Sequence, residues 1–139
     1  MRALKQRQDY LRSVPLFAGF TDKELALINK LGFELEVPTG TRVVTEGQRG
    51  QEFYFLLRGQ AEVSRGTTVL GTLAPGDYFG ELALLDPHPR AATVTMLSDG
   101  SVLELPQREF WQLLRDVPAL APKMLRTLAR RVHEHRDTP

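Results

Sequence analysis

Nine of the chain's eleven glycines fall between residues 40 and 100, at positions 40, 47, 50, 59, 66, 71, 76, 80 and 100. Between them lie short runs rich in Val, Thr, Phe, Tyr and Leu. Phe33-Glu-Leu-Glu-Val37 alternates strictly, with Phe33, Leu35 and Val37 on one face. Thr41–Thr45, Glu52–Arg58, Ala61–Ser64, Thr67–Leu73, Ala92–Met96 and Ser101–Leu105 are runs of similar length. Turn residues at Pro38-Thr-Gly40, Gly47-Gln-Arg-Gly50, Arg58-Gly59, Arg65-Gly66 and Pro75-Gly-Asp77 separate them. Short strands at this spacing predict a mainly β chain, an antiparallel jelly-roll β-barrel of about eight strands.

Helices are expected on both sides of that block. Thr21 and Glu24 have the spacing of a capping box, with Phe20 and Leu25 as its hydrophobic staple. Leu25, Ile28 and Leu31 form the stripe that such a helix would bury. Leu4 to Leu11 is a weaker candidate, stopped by Val14-Pro15. Gln107 to Val117 places Phe110, Leu113, Leu114 and Val117 on one face, and Pro118 ends it. From about Ala119 to His135 a last helix carries the seam Ala121, Leu125, Leu128 and Val132. The expected layout is one domain over residues 1–139: N-terminal helices to 32, a β-roll over 33–105 and a C-terminal helix pair over 106–136.

Composition narrows the function classes. The chain has 139 residues, 25% of them charged, and a net charge of +1, so no global field favours nucleic acid or membrane. With no cysteine there is no thiol catalysis, disulfide or thiolate metal site. The N-terminus lacks the apolar run of a signal peptide, and no stretch reaches the ~18 apolar residues of a membrane span, so a cytoplasmic location is expected. A metal centre on β-strands would need two or three clustered histidines, and the β region holds only His88. Neither a nucleophile elbow nor a phosphate loop is present, so no enzyme and no metal or cofactor are expected.

Chemistry concentrates in Phe79-Gly-Glu-Leu-Ala-Leu-Leu-Asp-Pro-His-Pro-Arg-Ala-Ala-Thr93. Gly76 and Gly80 bracket a turn, residues 81–85 suit about one helical turn, and Pro87 and Pro89 forbid more. The unsatisfied N–H groups at such a start favour an anion. Arg90, on the far side of the stiffened loop, would place a bidentate guanidinium opposite them, in an exposed pocket. Glu81 would be left to accept from a hydroxyl beside that anion. The bland alternative is a surface ion pair between Glu81 and Arg90, worth ~0–1 kcal/mol.

Phe79 to Leu85, followed by Pro89-Arg90-Ala91-Ala92, resembles the phosphate-binding cassette of cyclic nucleotide-binding domains, the modules of protein kinase A regulatory subunits and Crp/Fnr-type regulators. Val14-Pro-Leu-Phe-Ala-Gly-Phe20, Glu46-Gly47 to Gly50, Phe53-Tyr-Phe55 and Arg58-Gly59 are similar to the family's flanking segments. The resemblance implies that Glu81 binds the ribose hydroxyl and Arg90 the cyclic phosphate, with Gly80 and the amides of Leu82 and Ala83 completing the cradle. Members that prefer cGMP carry Thr after the phosphate arginine; Ala91 there favours cAMP over cGMP. Leu70, Leu73 and Ala92 resemble base-lining positions, and Arg131, His135 and Arg136 are candidates to close over the base. The expected function is a cyclic nucleotide sensor whose C-terminal helix moves on binding, with a homodimer or an effector protein as partner of that helix. Ending at Pro139, the chain is not expected to bind DNA itself. The alternative is the N-terminal ligand-binding part of a Crp/Fnr-type transcription regulator or of another cyclic-nucleotide-gated protein.

Overall fold

The computed structural model describes residues 8, 9, 11–80 and 88–136. Eight strands, β1 (Phe33–Val37), β2 (Arg42–Val44), β3 (Glu52–Arg58), β4 (Ala61–Arg65), β5 (Thr68–Leu73), β6 (Tyr78–Phe79), β7 (Thr93–Met96) and β8 (Gly100–Pro106), pair into two antiparallel sheets. One has the order β1-β8-β3-β6 and the other β2-β7-β4-β5. Helix α1 (Asp22–Leu31) precedes them, and α2 (Gln107–Asp116) and α3 (Leu120–Arg136) follow. The jelly-roll expectation is met as a mainly antiparallel β fold with flanking helices, its strands in two four-stranded sheets.

β3 organises the core because both of its faces are apolar. Phe53, Phe55 and Leu57 point to one side, where they meet Tyr78, Leu103 and Leu105 of the same sheet. The helices cover that side with Leu25, Ile28, Phe110, Leu113 and Met124, joined by Phe17 from the short 3-10 turn Pro15–Phe17. Tyr54 and Leu56 point to the other side and close an inter-sheet core with Val37, Phe79, Val102, Val44, Ala61, Val94 and Met96. Period-two alternation therefore feeds two cores from one strand. Each fully buried Phe or Leu there contributes about 1.5–3 kcal/mol.

The N-terminal cap forms as expected: the Thr21 N–H donates to Glu24 Oε1 at 2.8 Å, and the Glu24 N–H donates to Thr21 Oγ1 at 3.1 Å. Exposure refines two expectations. Phe33, Leu35 and Val37 do share a face, but only Val37 is buried; Phe33 is 57% exposed on the edge strand. In α3 the buried stripe is Leu120 and Met124 with half-buried Leu128, and Leu125 is 64% exposed. Helix α3 is fastened there by the Tyr78 hydroxyl, which donates to the Met124 carbonyl at 3.0 Å. Lys123 adds a hydrogen bond to the Ala18 carbonyl, and its Nζ sits 4.8 Å from the Phe20 ring centroid. Of the helix expected over Leu4 to Leu11, residues 8, 9, 11 and 12 are helical and residues 1–7 and 10 lie outside the described residues. No helix among the described residues is long and apolar enough to cross a membrane.

Candidate functional site

The site begins with a backbone clamp. The Arg90 N–H donates to the Gln48 carbonyl at 2.8 Å, and the Arg90 carbonyl accepts from the Gly47 N–H at 2.9 Å. The Glu46 N–H donates to Thr93 Oγ1 at 2.9 Å, which ties the same loop to the start of β7. Arg65 Nε donates to the Ala91 carbonyl at 3.0 Å, so the end of β4 holds the residue next to Arg90. Arg90 is thereby delivered to a fixed place between the loop over residues 46–50 and β3.

The Arg90 side chain is 7% exposed, which corrects the expectation of an exposed pocket. Its Nη2 donates to the Glu52 carbonyl at 3.0 Å and lies 3.7 Å from the Glu52 carboxylate. The Tyr54 ring lies on another side, with its centroid 6.0 Å from Cζ. Two glycines make room. A Cβ on Gly50 would fall 2.5 Å from Nη2 and 2.7 Å from Nε. A Cβ on Gly80 would fall 3.0 Å from Nη1 and 2.8 Å from the Glu52 carbonyl. Gly80 also has φ +91°, a left-handed conformation that a side chain disfavours, where the chain leaves β6.

Nη1 is buried and has no hydrogen-bond partner among the described residues. Leaving a buried donor unpaired costs about 1–3 kcal/mol, more for a charged group. Nη2 is thus spent on Glu52, while Nη1, beside Gly80, has no partner among the described residues. A guanidinium nitrogen left over in this way fits an anion oxygen, and a phosphate is the ordinary example. No group of three or more His, Cys, Asp or Glu that could hold a metal occurs among the described residues.

Tyr54, which the sequence reading left unassigned, completes the surroundings. It pairs across the sheet with Glu104 on one side and Phe79 on the other. Its ring stacks on Phe79 at 5.0 Å and 14°, and its hydroxyl donates to Glu104 Oε2 at 3.0 Å. Burial, then the Glu104 charge, pushes the phenol well above its ordinary value, so it stays a donor. Gly50 and Glu52 were also missed as neighbours of Arg90; a polar residue at the head of an apolar run was the available signal.

Of the other expected site residues, Glu81, Leu82 and Ala83 lie outside the described residues. Ala91 is exposed and Ala92 half-buried. Leu73 is half-buried against the inter-sheet core, while Leu70 is exposed at the register shift between Val63 and Ser64. Arg131, His135 and Arg136 fall on the last turns of α3, with their side chains outside the described residues.

Residues 34–117 match the family model described as the cyclic nucleotide-binding domain. The cAMP-dependent protein kinase regulatory subunit of Mycosarcoma maydis is 40% identical over 122 residues, covering 81% of this chain and 23% of its own length. The chain therefore spans about a quarter of that relative. The solved structure of cAMP-bound PfPKA-R superposes with a TM-score of 0.80 at 30% identity, covering 96% of this chain and 45% of that one. The catabolite activator protein of Thermus thermophilus follows with a TM-score of 0.78 at 29% identity, covering 88% of this chain and 60% of that one. With the match extending over most of both sheets and through Arg90, this chain belongs to the cyclic nucleotide-binding domain family.

Proposed function

We propose that residues 1–139 work as one cyclic nucleotide sensor, with cAMP preferred, in the cytoplasm and without catalytic activity. The observation that carries this reading is the buried Arg90 guanidinium, whose Nη1 beside Gly80 has no partner among the described residues. The cyclic phosphate accepts from that nitrogen and from the amides of Leu82 and Ala83. Glu81 accepts from the ribose hydroxyl. Ala91, where cGMP-preferring relatives carry Thr, leaves the guanine amino group without a partner. Leu70, Leu73 and Ala92 are proposed to line the base, and Arg131, His135 or Arg136 to close over it.

Output is carried by α3. β6 is two residues long, and its side chains point opposite ways: Phe79 to the Tyr54 ring and Tyr78 to the Met124 carbonyl. Ligand that pulls on Gly80 therefore acts on the contact that fastens α3, shifting the population of docked helix. The partner of α3 is a second copy or an effector protein. A second reading, that the chain is the ligand-binding part of a transcription regulator, is favoured by its 26% identity over 129 residues to a CRP-like cAMP-activated global transcriptional regulator.

Calorimetric titration with cAMP and cGMP side by side tests the proposal. The expected result is saturable binding with cAMP the tighter; no binding of either at high micromolar concentration overturns it. Light scattering with and without cAMP reads the partner of α3.

A further inference from the structure

We propose that Tyr54 is a positioning residue for Arg90, locked by its hydrogen bond to Glu104. The proposal rests on the reading of Arg90 as the phosphate ligand. Three side chains stand in one row across the inner face of the sheet, Glu104 on β8, Tyr54 on β3 and Phe79 on β6. The stack on Phe79 and the 3.0 Å bond to Glu104 fix the phenol ring from both ends. The fixed ring lies 6.0 Å from the Arg90 guanidinium, and a ring face at that distance attracts a cation. Phe79 is followed by Gly80, which borders the same guanidinium at Nη1. One phenol thus braces both the arginine and the strand end that leads away from it.

A purely structural residue here would not need the hydroxyl. Its inner-face neighbours Leu56, Val102 and Phe79 are apolar, and a buried hydroxyl without a partner costs free energy. Glu104 meets that need, and the bond anchors the outer end of a ring that Phe would leave free to tilt. The guanidinium then keeps Nη1 aimed before ligand arrives, which lowers the cost of binding.

The test uses the whole chain with Tyr54→Phe, Glu104→Leu and Glu104→Gln. The first readout is the slowly exchanging Arg90 Nε–H and Nη–H proton resonances of the ligand-free protein. They are expected to broaden in Tyr54→Phe and Glu104→Leu, and less in Glu104→Gln, which retains an acceptor. The second is cAMP affinity, expected to fall about fivefold in the first two variants, with the double variant no weaker than either. Thermal melts identify any variant that fails to fold. Unchanged Arg90 resonances in folded Tyr54→Phe and Glu104→Leu overturn the proposal, as does affinity within twofold of the parent. If the parent chain binds neither nucleotide, the functional reading fails, and the Arg90 resonances alone decide the role of Tyr54.

Discussion

The guanidinium of Arg90 occupies the volume that a side chain on Gly50 would need: a Cβ there would lie 2.5 Å from Nη2 and 2.9 Å from Cζ. Gly50→Ala must therefore push the arginine towards Gly80 or out of the site. The bond to the Glu52 carbonyl would be lost, and Nη1 would no longer face its ligand. Cyclic nucleotide affinity is expected to fall tenfold or more, roughly 1.4 kcal/mol, with a smaller change in thermal stability. Titration beside a melting curve checks both; unchanged affinity would mean that the arginine has another productive position.

Charge reversal at Arg90 is not a clean probe of binding. The side chain is 7% exposed, and Arg90→Glu would set a carboxylate beside that of Glu52 with the cation gone. A loss of about 2–4 kcal/mol in stability is expected, along with all binding. Arg90→Lys keeps the charge and loses the fork, so binding should weaken sharply while most of the stability survives. Urea unfolding of the two variants separates these outcomes.

Much of this fold was legible because its punctuation is local. Glycines at 40, 47, 59, 66 and 76 all take positive φ at strand ends, and Glu52–Arg58 and Phe33–Val37 are strands with the expected bounds. β6 escaped because two residues carry no period. The inward face of α3 was not legible because two apolar stripes compete on that helix. The bond from Tyr78 to Met124, a long-range contact, selects the one with Leu120 and Met124. Within the site, Arg90 was visible as a motif residue. Its burial was not, since that depends on Gly50, Glu52 and Tyr54, which lie about forty positions earlier and meet it only in the fold.

Acid stability carries a separate signature at Asp99. Its Oδ1 accepts from the Thr39 N–H at 2.8 Å and from Thr39 Oγ1 at 2.9 Å, holding the carboxyl below its ordinary value of 3.8. A native value below the unfolded one means that the stabilisation is complete above 3.8 and is lost as pH falls through the lower native value. The melting-temperature gap between the parent and Asp99→Ala is expected to be flat near neutrality and to shrink in that acid window. A gap that widened in acid would contradict the assignment.

Nucleotide choice is testable at Ala91. Its side chain is exposed, and its carbonyl is held by Arg65, so a larger side chain fits without repacking. Ala91→Thr adds a hydroxyl that can meet the guanine amino group. A neutral hydrogen bond of ~1 kcal/mol predicts about fivefold tighter cGMP binding, with cAMP little changed. Competition between the two nucleotides on both chains reads this directly.

The fastening of α3 makes the most direct prediction about output. Tyr78 is 2% exposed, and its hydroxyl donates to the Met124 carbonyl at 3.0 Å. Tyr78→Phe keeps the ring among Phe53, Phe55 and Met124 while removing that bond, at a cost of about 1 kcal/mol. The loss falls on one helix contact and not on the sheet cores. Amide exchange should therefore rise several-fold in α3 and stay near the parent rate in β3 and β8. If ligand acts through β6, the variant should bind cAMP with near-parent affinity yet show a smaller ligand-induced change in α3 protection. Uniform exchange changes across the chain would place the effect in global stability and separate α3 from the nucleotide site.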